Sequence, residues 1–422
     1  MAGSINFHSE AFREDRKILQ RLGEEIARIG HLPVQKEKAE LWRRLNDREA
    51  VRPLVFINEE PWEELKPHCA ELTCRCADAF LREIEQTLRI QLYRWQSHPA
   101  DMVIRPVIEL QKVWTSTGIG VEQKTETIRH GDICSYHFIP QITAMEDIEK
   151  IRMPEVRFDE EETERRCALL KSVFDGILPV VPTGIKMKWF TPWDNLIRLV
   201  PMEGIMMDLI ERPEFVEALV SRFVDAEMHE LDQFEQLGLL TAGANNTRVG
   251  SGGYGYTREL PSGDGSGAGL PCNQLWGCGN AQIFSEVSPQ MHWDFSLKHE
   301  KRWLERWGMT YYGCCEPLHL KIGILREIKN LRKISVSPWF NLAKGLENGA
   351  GDYVLSVKPN PAVFAEDRFD ETRARRDIAA LFDQTQGCSV ELIMKDISTV
   401  RNDPERLRRW SEIAMEEAEK RG

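Results

Sequence analysis

From about residue 300 onward, short strand-forming runs alternate with stretches whose apolar residues recur at helical spacing. Thr310–Tyr312, Lys333–Val336, Asp352–Val357 and Ser389–Met394 read as strands. Lys321–Ile328, Phe340–Asn348, Glu371–Thr385 and Pro404–Lys420 read as the helices between and after them. Links of a few residues join them, the pattern of a parallel sheet covered by helices. Earlier, residues 13–48 carry Leu19, Leu22, Ile26 and Ile29 on one stripe among many charges and read as helical. Arg52–Asn58, Met102–Ile108 and Ile185–Phe190 are strand candidates. Cys69–Arg94, Glu162–Phe174, residues 212–237 and Pro289–Trp307 are helix candidates.

This pattern predicts an α/β protein, a (β/α)8 TIM-type barrel with an N-terminal helical extension and a long Gly-rich loop. The extension spans residues 1–50 and the barrel 51–422, with the Gly-rich insertion at about 247–283. Ten of the 29 glycines fall between Gly250 and Gly279, so this stretch reads as a flexible loop. Gly250 to Gly255 fits GxGxxG but opens no helix, which argues against a nucleotide fingerprint. A mobile lid carrying Tyr254, Tyr256 and Glu259 over a site is the functional alternative.

Composition narrows the class. The chain has 422 residues, 42% hydrophobic and 29% charged, as in a globular enzyme. A net charge of −12 disfavours nucleic acid as a partner. No long apolar run or signal core is visible, so no membrane association is expected and the location is read as cytoplasmic. Ten cysteines in a chain of this length are no disulfide scaffold.

The candidate chemistry concentrates in TYYGCCEPLH, Thr310–His319. A strand runs into Cys314, Cys315 and Glu316, which are thiolate and carboxylate donors at a strand end, where an α/β barrel keeps its chemistry. Ser337-Pro338-Trp339, Lys358-Pro359-Asn360 and Lys395-Asp396 end other strands in the same relative place. Asn58, Glu59 and Glu60 end the first strand, with Trp62 just beyond, and suggest an acidic, aromatic mouth. His68, Cys69, Cys74 and Cys76 are dense in sequence but read as one buried helix face. Cys272, Cys278, His292 and His299 read as packing residues.

The order of thiol strand, ISVSPW, VLSVKPNP and ELIMKD followed by DPERL resembles the uroporphyrinogen decarboxylase superfamily, closest to its corrinoid- or cobalamin-linked methyltransferase branch. The resemblance covers roughly residues 50–420 and is strongest from 205. It implies a methyltransferase that moves a methyl group from a methoxylated or methylated small molecule to a corrinoid, an O-demethylase type of reaction, with zinc assisting. The branch's HxC position reads Tyr312-Gly313-Cys314 here, and its later Cys falls at Asp396. The resemblance therefore implies metal ligands from Cys314, Asp396 and either Cys315 or Glu316. Tyr312, Cys314 and Asp396 are the expected catalytic residues. Asn58, Glu59, Trp62, Tyr254, Trp339 and Lys358 are the expected substrate-binding residues. The expected partners are a small-molecule methyl donor, a corrinoid protein and, for self-association, a second copy in a homodimer. Against the decarboxylase branch, Glu59 and Glu60 stand where a polycarboxylate's own acids would sit. A metal-free decarboxylase or lyase using Asp396, Tyr312 and Lys358 is one alternative. A non-enzymatic small-molecule or corrinoid-binding protein is the other.

Overall fold

The architecture comes from a computed structural model that describes residues 9–130, 133–263 and 269–422. Residues 1–8 of the expected extension and 264–268 of the expected Gly-rich insertion lie outside the described residues. Thirteen strands are described: β1 Leu54–Ile57, β2 Ile108–Gln111, β3 Val113–Ser116, β4 Lys124–His130, β5 Ile133–Ile139, β6 Val156–Asp159, β7 Val180–Thr183, β8 Met187–Phe190, β9 Trp276–Gly279, β10 Met309–Tyr312, β11 Leu331–Val336, β12 Val354–Val357 and β13 Val390–Met394. Seven form one sheet in the order β1-β13-β12-β11-β10-β9-β8, every pair parallel. β2 and β7 form a parallel pair, while β3–β6 and β4–β5 are antiparallel pairs.

Strand alternation sorts the side chains onto two faces. Val55, Ile57, Ile334, Val336, Leu355, Val357, Leu392 and Met394 pack into the large core shared with the covering helices. Leu54, Phe56, Val354 and Ile393 belong to a second core with Trp42 and Tyr254. That second, inner face also carries polar groups. Lys333 and Glu391 form a fully buried ion pair at 2.8 Å, and Ser335, Ser356 and Tyr311 are buried beside it.

The segment expected as a mobile loop is instead packed against this inner face. Val249 through Tyr254 are buried. Gly253 N donates to Glu391 Oε1 at 3.0 Å, and Ser251 Oγ and Tyr311 OH share a hydrogen bond at 2.8 Å. Glycine is required here because the space is already filled. A Cβ on Gly253 would lie 2.2 Å from the Trp42 ring, and one on Gly252 would lie 2.3 Å from Glu391 Oε1.

The N-terminal helices are Glu10–Gly30 and Pro33–Asn46, separated where Pro33 opens the second. Trp42 reaches from the second helix onto the inner face and donates Nε1 to Asp101 O at 2.8 Å. Two expected elements are corrected. The helix expected over Cys69–Arg94 begins only at Ala79, where Asp78 caps it, and ends at Ser97. The strand expected at Met102–Ile108 lies at Ile108–Gln111, since Pro106 has no N–H to give a ladder. Among the described residues, no helix is long and apolar enough to cross a membrane.

Candidate active site

β1 and β13 end side by side. Asn58 N donates to Met394 O at 2.8 Å, and the residues that follow on each strand take up the site. Glu59 and Asp396 both adopt left-handed backbone, at φ 60° and 58°. Such conformations cost of order 1–3 kcal/mol for a non-glycine residue and persist where surrounding structure enforces them. Between these two carboxylates lies the Lys395 ammonium, 2.9 Å from Asp396 Oδ2 and 3.8 Å from Glu59 Oε2. The Lys395 side chain is only 7% exposed, whereas that of Asp396 is 56% exposed. Burial alone would lower the lysine's pKa, but Cys314, Asp396 and Glu59 outweigh it and raise it.

The thiols come from the end of β10. Gly313, at φ 98°, turns the chain there, and its N donates to Gly279 O at 2.8 Å. Cys314 Sγ then lies 3.8 Å from Lys395 Nζ and 3.7 Å from Cys315 Sγ. The two sulfurs lie within hydrogen-bonding distance of each other. Donation from the Cys314 thiol lowers Cys315 to about 7, and the same bond raises Cys314. Cys315 is the exposed member of the pair.

Lys358, after β12, lies deeper on the inner face. Its Nζ donates to Tyr311 OH and, at 2.9 Å each, to Ser356 O and Oγ. Burial lowers its pKa to about 7. Arg248 joins from the inner-face segment, with Nε donating to Gly252 O at 3.0 Å.

Other expected residues lie elsewhere. Tyr312 points away from the inner face, into the helix layer, where its OH donates to Glu300 Oε2 at 2.9 Å and lies 2.9 Å from His292 Nε2. Its neighbour Tyr311 is the tyrosine that faces the site. Tyr254 packs against Trp42 and Phe56, with ring centroids 5.3 and 5.1 Å away. Trp62 packs on Tyr93 and under Arg94. Asn58 is buried and donates to Glu59 Oε1 at 3.1 Å. Trp339 is 73% exposed and borders a cavity of ≈ 400 Å³ together with Val336, Val357, Met394 and Trp410. Val336, Val357, Met394 and Trp410 belong to the helix-facing core, and the strand-end residues Ser337, Lys358 and Asn360 also line this cavity. His68 lies 3.1 Å from Asn402 Oδ1. Cys69, Cys74 and Cys76 precede the helix on which they were expected. Cys272 and Cys278 contact Glu235 and Met187 respectively.

The donors do not fit zinc as they are arranged. Glu316 is buried, with Oε2 accepting from Cys314 N at 2.9 Å and Oε1 from Ala281 N at 3.1 Å. The Lys395 ammonium already stands between the Cys314 thiol and the Asp396 carboxylate. Among the described residues, no three His, Cys, Asp or Glu side chains are placed to hold a metal ion. The expected acidic mouth is also corrected. Glu60 turns away and pairs with Arg94 at 2.5 Å and with His98 at 3.1 Å. Burial would raise the Glu60 pKa, but those hydrogen bonds hold it down to about 2. Of the two glutamates, Glu59 is the one at the site, where with Asp396 it flanks Lys395.

Sequence reasoning missed Tyr311, Arg248 and the central place of Lys395. Strand period would have separated Tyr311 from Tyr312, since β10 pairs Tyr311 with Lys333 of β11. Nothing local in the sequence signals that a glycine-rich segment would fold back onto the sheet.

No family model and no curated protein matches the chain. Among solved structures, 23 chains are similar. One is a methyltransferase from Methanosarcina mazei, with a TM-score of 0.50 and 10% identity, over 90% of this chain and 98% of that one. The two share a fold over nearly their whole lengths.

Proposed function

We propose that this chain is a methyltransferase that removes a methyl group from a small molecule at the ends of its parallel strands, on a closed (β/α)8 barrel of the uroporphyrinogen decarboxylase type. Closure is supported by the two parallel sheets being one chain apart: β7 continues through Ile185 into β8, and Asp101 N donates to Val55 O at 3.0 Å between β1 and the segment entering β2. The methyl acceptor is a corrinoid carried by a partner protein, which supplies the nucleophile. The shared fold with a methyltransferase supports this class of reaction.

The observation that carries the reading is the Lys395 ammonium clamped by Glu59, Asp396 and Cys314. When a methyl group leaves an ether or amine, the heteroatom keeps the bonding pair and needs a proton. Lys395 is held protonated and can give that proton, in place of a Lewis-acid metal. Glu59 and Asp396 hold the ammonium in position, and the half-exposed Asp396 side chain opens the site to solvent, from which the lysine regains its proton. A second reading is favoured by Lys358. A buried amine with its proton near neutrality suits protonation of a carbanion in a decarboxylase or lyase.

The test is a panel of methoxylated and methylated small molecules with chemically reduced cobalamin as acceptor, after exhaustive chelation. Methylcobalamin formation that survives chelation and falls about 100-fold in Lys395→Ala supports the proposal. Activity that vanishes on chelation and returns with one zinc per chain would overturn the metal-free proton donor. Carbon dioxide release without any acceptor would establish the lyase.

A further inference from the structure

Among the described residues, Arg248 has no carboxylate within ion-pair distance. Its Nε binds Gly252 O, while Nη2 is fully enclosed and has no hydrogen-bond partner. The acids nearby have other partners. Glu60 is engaged by Arg94, Glu391 by Lys333, and Glu59 is shared with Lys395. Arg248 nevertheless sits close enough to feel the charges of Glu59 and Arg94, and its own charge reaches Lys358. Among the described residues, Lys358 also lacks a carboxylate within ion-pair distance, and its hydrogen bonds go to neutral oxygens.

Enclosing two basic groups this way is costly, because each loses its hydration while the acids that act on them, Glu59 on Arg248 and Glu391 on Lys358, are engaged by other lysines. The segment that presents Arg248 is firmly built. Arg248 and Tyr254 face each other in an antiparallel bridge, and Val249 N donates to Gly253 O at 3.0 Å. The glycines between them are pressed against Tyr311, Glu391 and Trp42. Arg248 is therefore held in place on the inner face, with Nη2 unpartnered and its charge within reach of Lys358 and Glu59.

We propose that Arg248 and Lys358 bind an oxyanion group of the substrate, a carboxylate or a phosphate. An arginine fork matches either group in bidentate fashion, and the lysine adds a point charge. The assignment rests on reading the strand ends as the active site and adds the substrate's charge. The small molecule is then an anion, with its reacting methyl group directed up toward Lys395.

Binding is measured on the full chain by calorimetry, without any methyl acceptor, so the result is independent of the methyl-transfer reading. The probes are benzoate, succinate and inorganic phosphate. One probe class should bind one-to-one and weaken about tenfold or more in Arg248→Gln, with partial recovery in Arg248→Lys. Benzoate or succinate binding alone identifies a carboxylate, and phosphate binding alone a phosphate. A second measurement uses only the wild type. Phenylglyoxal labelling of Arg248, located by peptide mass mapping, should slow in the presence of the bound probe. Absence of binding by all three probes, or equal binding in Arg248→Gln, overturns the proposal. Arg248 labelling that ignores the probe does so as well.

Discussion

At the scale of single residues, the thiol pair makes a distinctive pH prediction. An ordinary cysteine is mostly protonated at neutrality, with a pKa near 8.5. Here the Cys314 thiol donates to Cys315 and lowers it to about 7. A lowered pKa means that the reactive thiolate is already half formed at that pH and is complete well below the pH at which a free cysteine ionises. Iodoacetamide should therefore label Cys315 before every other cysteine, with a rate midpoint near pH 7. In Cys314→Ala the donor is gone, so the midpoint should move upward toward the free-cysteine range. Peptide mass spectrometry across a pH series reads both. A Cys315 midpoint unchanged by Cys314→Ala would mean that Lys395, and not the neighbouring thiol, sets its acidity.

At the scale of elements, the inner-face segment decides how tightly the core is filled. Gly253→Ala would put a methyl group 2.2 Å from the Trp42 ring and 3.1 Å from Glu391 Oε2. Neither neighbour is a flexible end, so the substitution should destabilise by about 2 kcal/mol or more. Gly323→Ala is the control, in a short helix with nothing within 4 Å of the added carbon. It should be neutral or stabilising by up to about 1 kcal/mol. Denaturant unfolding of both variants tests the contrast, and similar losses in both would refute the packed-segment account. This element also marks where the sequence stops being readable. The strands β11, β12 and β13 were legible because a buried parallel strand is a short apolar run between helices. Cys314, Lys358 and Asp396 were legible as strand-end groups for the same reason. The buried segment was not, because glycine signals freedom locally and close approach only when the partner is known. Residues that meet across some 140 positions, such as Gly253 and Glu391, leave no local trace. The helix starts at Ala79 because the Asp78 side chain accepts from Leu81 N there, a signal masked in the sequence by cysteines and leucines at helical spacing before it.

At the scale of the whole molecule, the N-terminal helices act as a buttress for the site and not as an appendage. Trp42 is fully buried, and on the inner face it meets Tyr254 edge-on at 5.3 Å and Lys333 at 6.0 Å. Asn46 Nδ2 donates to Tyr254 O at 2.8 Å and to Tyr256 O at 2.7 Å, and Arg332 Nη1 returns a bond to Asn46 O at 2.6 Å. The extension therefore holds the same segment that carries Arg248. Trp42→Ala should lower global stability by about 3–5 kcal/mol, the usual loss for a buried large aromatic. It should also loosen residues 249–254 before the molecule as a whole unfolds, because their packing partner is gone while the parallel sheet remains paired. Trypsin should then cut after Arg248 faster in Trp42→Ala than in the wild type, at denaturant concentrations where both remain folded, with Trp42→Phe between them. Stability lost without faster cleavage at Arg248 would show that the helices support the sheet directly. Faster cleavage with weaker binding of the oxyanion probe would show that the extension sets the geometry of the substrate site from beneath.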